Sequence, residues 1–241
     1  MKRIDATWEK RNLGVECVEF EISNNDELDE VKEVISSATA EYQIVKASVG
    51  DVRLQLAVQE CGFKFFETNL QLERKIKGPH NLPPMYSRFE KDVEYRDATE
   101  EEIDEILKIV AAGGMFTTDK VAQDPYFSPQ LSGHRYALWA RDILEKGAKT
   151  VIGLYRGDIA SFTIYEVKEK FYHAFIGGMF DNYRDKGLGF IPLYVTAEQI
   201  YELGGGVLKT GVSSNNPSIL RLQLLFGCKI TDMTNIYIKH L

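Results

Sequence analysis

The 241-residue sequence predicts an α+β protein. Three observations carry that prediction. Segments with the two-residue apolar alternation of strands are interleaved with segments of helical periodicity along the whole chain. Three consecutive strand-like runs, Thr150–Tyr155, Ile159–Tyr165 and Phe171–Phe180, are joined by connections too short for a crossover, so they must pair as antiparallel hairpins. A loop-like stretch, Lys75–Glu90, holds three of the seven prolines and divides the chain into an N-terminal accessory region, 1–88, and a larger domain, 89–241.

In the first region Val15–Ile22 alternates as a strand, and Asp26–Ser37 is a charged amphipathic helix with Asn25 placed to cap it. Tyr42–Val49 reads as a strand, Val52–Cys61 as a helix stopped by Gly62, and Phe65–Arg74 as a further strand. The expected order is β-α-β-α-β. The second region opens with the short strand Val93–Arg96. In Thr99-Glu100-Glu101-Glu102 the Thr99 hydroxyl and the Glu102 carboxylate can serve each other's end of a helix as a capping box. The apolar stripe of that helix is Ile103, Ile106, Leu107 and Val110, and Gly113-Gly114 ends it. His134–Lys146 is a second helix. After the three hairpin strands, with Arg156-Gly157-Asp158 as the first turn, come a helix over Gly187–Leu203, a strand over Val207–Val212, a helix over Pro217–Leu225 and a closing strand over Ile230–Lys239.

Composition narrows the function classes. Hydrophobic residues are 44% and charged residues 27%, as in ordinary globular proteins. A net charge of −7 argues against a broad nucleic-acid footprint. The polar N-terminus lacks the apolar core of a signal peptide, and no apolar run reaches membrane-spanning length, so a cytoplasmic protein without membrane contact is expected. Cys17, Cys61 and Cys228 are scattered and form no metal-ligand spacing, so no metal is expected. The oligomeric state is not settled, and a homodimer is left open.

The segment with chemical content is Arg184-Asp185-Lys186-Gly187-Leu188-Gly189, between a strand and a helix. Backbone N–H groups at a helix start lack intrahelical partners and carry partial positive charge. Glycines there let a diphosphate approach them, and Arg184 and Lys186 add charge. A merely structural turn is the competing reading of the hexapeptide. A dinucleotide-binding turn would need a glycine where Arg184 stands, and a phosphate-binding P-loop would need a GK[ST] ending.

Arg184–Gly189 satisfies Q/R-x-x-G-x-G/A, and Asn216 is followed eleven residues later by Gly227, with Cys228 next to it. In this order and spacing the chain resembles the GNAT superfamily of acyl-CoA N-acyltransferases. The layout is most similar to two-part enzymes of the TDP-fucosamine acetyltransferase type, through Trp8, Asn12-Leu13-Gly14, Gly62-Phe63-Lys64, Phe116 to Asp124-Pro125 and His134–Trp139, with Lys120 where an arginine is usual. The resemblance implies a GNAT-like mixed, mostly antiparallel sheet with flanking helices. It implies acetyl-CoA as co-substrate, with Arg184, Asp185, Lys186, Gly187, Leu188 and Gly189 at the pyrophosphate. It also implies Gly178, Met179 and Phe180 along the pantetheine arm, the strands splaying after Phe180, and Asn216 ordering the site. The acceptor would be a primary amine of a small molecule, such as a nucleotide-linked amino sugar.

One position departs from the family. Seven residues after the asparagine many members carry a tyrosine that protonates the leaving thiolate, and here it is Gln223, which cannot deliver a proton. Tyr165, Tyr172, Tyr194, Tyr237 or water could take the role; otherwise the protein is a catalytically weak acyl-CoA-binding or sensing module. His173, on the strand before the motif, is a candidate base, a structural histidine being the alternative.

Overall fold

The computed structural model describes residues 1–241. In chain order the elements are β1 (Lys2–Asp5), α1 (Thr7–Leu13), β2 (Cys17–Ile22), α2 (Leu28–Ser36), β3 (Tyr42–Ser48), α3 (Val52–Glu60), β4 (Lys64–Ile76), β5 (Val93–Asp97), α4 (Glu100–Ala111), α5 (Lys120–Gln123), α6 (Pro129–Glu145), β6 (Lys149–Tyr155), β7 (Asp158–Lys168), β8 (Phe171–Met179), α7 (Ile191–Glu202), β9 (Gly206–Ser213), α8 (Pro217–Leu225) and β10 (Lys229–His240). Short 3₁₀ turns cover Ser87–Asp92 and Asp181–Tyr183.

The chain forms two compact units, and they are not the contiguous halves expected from the proline-rich stretch. One comprises Met1–Leu70, Ser213–Asn215 and Asp232–Leu241; the other comprises Gln71–Val212 and Asn216–Thr231. The expected boundary near residue 88 is therefore displaced. β4 runs on past Arg74, and the long strands β4 and β10 each contribute residues to both units. Composition marks a loop, but it cannot show which strands outlast a domain limit.

In the first unit β2 pairs with β1 antiparallel and with β3 parallel, and β3 pairs antiparallel with Thr234–His240 of β10. The extra N-terminal strand and helix were not expected, because Lys2–Asp5 alternates weakly and α1 is only seven residues. Val31 and Ile35 of α2 and Leu54 and Val58 of α3 bury against Val18, Phe20, Val45, Ala47 and Tyr237. Asp51 caps α3 by accepting from the Arg53 and Leu54 amides, whereas Glu27 rather than Asn25 precedes α2 and makes no side-chain cap.

In the second unit β5, β6, β7 and β8 are successive antiparallel neighbours and β8 pairs parallel with β9, so the sheet is mixed and mostly antiparallel. The capping box at Thr99 and Glu102 is formed, and α4 buries Ile106, Leu107 and Val110 with Ile152, Phe162, Ile164 and Ile176. α7 buries Ile191, Val195, Ala197 and Ile200 with Val151, Tyr165, Tyr172 and Leu208. Helices thus back this sheet through two clusters: α4 and α6 belong to one, α7 to the other. No helix of the chain is long and apolar enough to cross a membrane.

Candidate functional site

The site is set by an irregularity in β8. Along the β7–β8 ladder Ile164 faces Ile176 while Tyr165 faces Ala174, so Phe175 is an extra, bulged residue. A bulge bends its strand and increases the local twist. The parallel pairing of β8 with β9 ends at Ala174 opposite Thr210, immediately before the bulge. Separation of the two strands therefore begins at Phe175, not after Phe180 as expected.

Beyond the bulge β8 stays paired with β7 through Gly178–Phe162 and Met179–Ser161, and the Phe180 amide donates to Ala160 O at 3.0 Å. In an antiparallel ladder, residues whose N–H and C=O point at the partner alternate with residues whose groups point away. With Phe180 directed at β7, Gly178 is too. Gly177 and Met179 turn their backbone groups to the opposite edge, which β9 has left. Gly177 is exposed in mid-strand. Of the expected pantetheine-lining residues, Met179 has the required direction. Gly178 and Phe180 direct their amides into the sheet, and Gly177, which was not among the expected residues, directs its own to the same edge as Met179. The signal for Gly177 is the bulge, which shifts the pairing parity and is not visible in the apolar pattern.

The segment after β8 differs from expectation in an informative way. α7 begins at Ile191, four residues after the expected start at Gly187. Pro192 explains the delay. It occupies the first turn of α7, where its missing N–H costs nothing, whereas a helix from Gly187 would have placed it in the interior. Residues 184–190 are consequently a loop. Backbone φ is −65° at Arg184, 58° at Asp185 and 74° at Gly187, with Lys186 and Leu188 at negative φ. Alternating signs of this kind turn successive N–H groups to one side, forming a concave anion-binding nest. The Arg184 amide donates to Asp181 O and the Ile191 amide to Leu188 O, but the six amides from Asp185 to Phe190 donate to no protein acceptor. A Cβ on Gly187 would meet nothing within 4 Å, and one on Gly189 only Leu222 Cδ1 at 3.6 Å. Neither glycine is demanded by crowding from the protein itself.

The charged side chains of the loop have different roles. Arg184 folds back: its guanidinium donates to Gly114 O (3.0 Å) and Met179 O (3.4 Å) and pairs with Asp181 (3.1 Å). It ties the loop to the end of β8 and to the segment after α4, rather than standing free beside the nest. Lys186 lies over the Tyr183 ring at 5.7 Å. Leu188 is buried and anchors the loop from below.

Asn216 caps α8, its side-chain oxygen accepting from the Ile219 amide at 3.2 Å. Gln223 is buried on α8, and the Cys228 thiol donates to its Oε1 at 3.1 Å. Burial pushes that thiol up to about 11, so it stays protonated and able to donate. Gln223, at the position where a tyrosine was expected, is thus held by Cys228. Tyr165 is fully buried, its hydroxyl has no hydrogen-bond partner, and burial raises it to about 12. Tyr165 lies in the core cluster under α7, so the structure does not bring the expected candidate acid to the exposed edge of β8. The Tyr194 and Tyr237 hydroxyls are also raised, again mainly by burial. His173, on β8 two residues before the bulge, is half-buried and rests on the Phe175 ring, centroid to centroid 4.2 Å. Phe175 meets Trp139 of α6 at 6.1 Å, Trp139 meets Tyr136 at 5.8 Å, and Tyr136 stacks on Phe116 at 4.2 Å. These rings form an aromatic wall beside the bulge.

No protein-family model matches the chain, and no curated protein matches it in sequence. Solved structures do. A GCN5-related N-acetyltransferase from Sphaerobacter thermophilus superposes with a TM-score of 0.59 at 11% identity, over 88% of this chain and 64% of that one. One from Kribbella flavida gives 0.57 at 14% identity over 93% and 81%. A glucosamine N-acetyltransferase region of a fungal multi-domain protein gives 0.57 at 10% identity over 81% of this chain and 25% of that one. The chain spans less than two thirds of the Sphaerobacter protein. At such identities the likeness establishes the fold, and the fold is that of the GNAT acetyltransferases.

Proposed function

We propose that the chain is an acyl-CoA N-acyltransferase that moves the acetyl group of acetyl-CoA to a primary amine of a small molecule. The observation that carries this reading is a pair of backbone donor sets that the protein itself leaves unused: the edge of β8 that faces away from β7 after the bulge, at Gly177 and the Met179 amide, and, beyond the 3₁₀ turn, the six free amides of Asp185–Phe190. An extended chain can pair with the first part as an added strand, and a diphosphate suits the second. Acetyl-CoA carries both, and supplies an acyl carbon activated as a thioester. Gly187 and Gly189 keep the nest open to phosphate, Arg184 holds its rim, and Met179 and Gly177 orient the arm. The polarity follows from chain order. Because the phosphates sit after the C-terminal end of β8, the acyl end points back toward Phe175, roughly 13 Å away at strand rise. The acceptor amine then lies against the Phe175–Trp139–Tyr136 wall, and amino sugars, including nucleotide-linked ones, are within this class.

Calorimetric titration with acetyl-CoA and CoA tests the reading directly. Binding should raise thermal stability by about 2.7 kcal/mol at a hundredfold excess over Kd. Absence of both heat and a melting shift at millimolar acetyl-CoA would overturn it.

A further inference from the structure

Resting on that reading, we propose that His173 is the general base that takes the proton from the acceptor's ammonium group. The argument begins with position. The acyl end of an arm laid along β8 must lie where β8 and β9 part, and the last paired residues there are His173 with Lys209 and Ala174 with Thr210. His173 stands within one residue of that point, and its ring packs on Phe175, the bulged residue itself. The acceptor wall therefore runs directly up to the imidazole. Of the other histidines, His80 has its Nδ1 held by Arg74.

Environment agrees with position. The charged groups acting on His173 are Glu166 and Lys168 of β7 and Lys209 of β9. Lys168 is paired with Glu166 at 3.0 Å and Lys209 with Glu73 at 3.0 Å, so each is largely compensated. Burial beside the aromatic rings dominates and lowers the histidine below its ordinary value. The imidazole is then neutral at pH 7 and free to accept a proton.

The assignment also accounts for Gln223. Transfer from a thioester to an ammonium group releases one proton overall and moves a second from nitrogen to sulfur. His173 takes the first and passes it to solvent. The freed amine forms the C–N bond as the C–S bond breaks, the sulfur leaves with the bonding pair, and the nitrogen's surplus proton goes to that sulfur through the same imidazole. One shuttling base closes the proton balance, and a separate acid at position 223 is not required.

The experiment compares wild type with His173→Gln and His173→Ala, following thiol release from acetyl-CoA with phenethylamine, glucosamine and water as acceptors. Both variants should bind acetyl-CoA within twofold of wild type and lose about 10²–10⁴-fold in turnover. The acidic limb of kcat/KM should vanish, and imidazole added to His173→Ala should restore part of the rate. Independently of activity, the His173 imidazole resonance, assigned by its loss in His173→Gln, should titrate below the ordinary histidine value and move when acetyl-CoA is added. Wild-type turnover retained in His173→Gln, or an imidazole signal indifferent to acetyl-CoA, overturns the assignment. So does a wild type that binds acetyl-CoA without accelerating its aminolysis or hydrolysis. Failure to bind acetyl-CoA overturns the parent reading instead.

Discussion

Replacing Gly189 by tryptophan separates ligand geometry from fold geometry. Gly189 lacks left-handed φ, and an added Cβ would make only an ordinary contact with Leu222 Cδ1 at 3.6 Å. Gly189→Ala should therefore change stability by no more than about 0.5 kcal/mol. Gly187 is different, because its φ of 74° makes any side chain there cost about 1–2 kcal/mol. An indole at 189 lies against the free amides of Gly189 and Phe190 and keeps a phosphate from them. A hydrogen bond to a charged group is worth about 1.5–3 kcal/mol net, so losing two costs about 3–6 kcal/mol. That corresponds to a weakening of CoA binding by about 10²–10⁴-fold. Calorimetry of Gly189→Trp against wild type gives the affinity, and a melting curve without ligand confirms the fold. A tryptophan variant that melts like wild type and binds CoA within threefold of it would refute the nest as the diphosphate site.

Two further outcomes follow from buried groups outside the nest. Tyr165→Phe removes a buried hydroxyl that makes no hydrogen bond of normal geometry, and it should stabilise the protein by about 1 kcal/mol. That gain should appear as a melting point about 2–4 °C higher, with turnover unchanged, and a lower one would show that the hydroxyl has a partner after all. His80 accepts from Arg74 at 2.5 Å, is half-buried, and is lowered to about 4, chiefly by burial and then by the Arg74 charge. The unfolded chain then binds a proton that the folded one refuses, so this contribution is full above pH 6.5 and fades as pH falls toward 4. The loss should reach about 3 kcal/mol at most, and His80→Gln should flatten the acid side of a denaturation profile taken across that window.

Much of the fold was legible because it rests on local periodicity. The hairpin strands, the capping box at Thr99 and Glu102, and α8 from Pro217 to Leu225 follow from alternation, hydroxyl placement and a proline at a helix start. The loop before α7 reads as helix from Gly187, although Pro192, which suits the first turn of a helix and not its interior, carries the signal for the later start. The two-unit division was not legible, since it depends on which lengths of β4 and β10 serve each unit.

By itself the sequence determined the element order, the motif Arg184–Gly189 and the vacancy of a tyrosine at 223, because each is a matter of residue type and spacing along one dimension. Tertiary structure alone decided where the strands part, that Gly177 and Met179 rather than Gly178 and Phe180 face the open edge, and that Tyr165 is sealed in the core. The reason is physical. One bulged residue at Phe175 changes which backbone groups are already paired, and pairing across strands leaves no trace in the pattern along one of them.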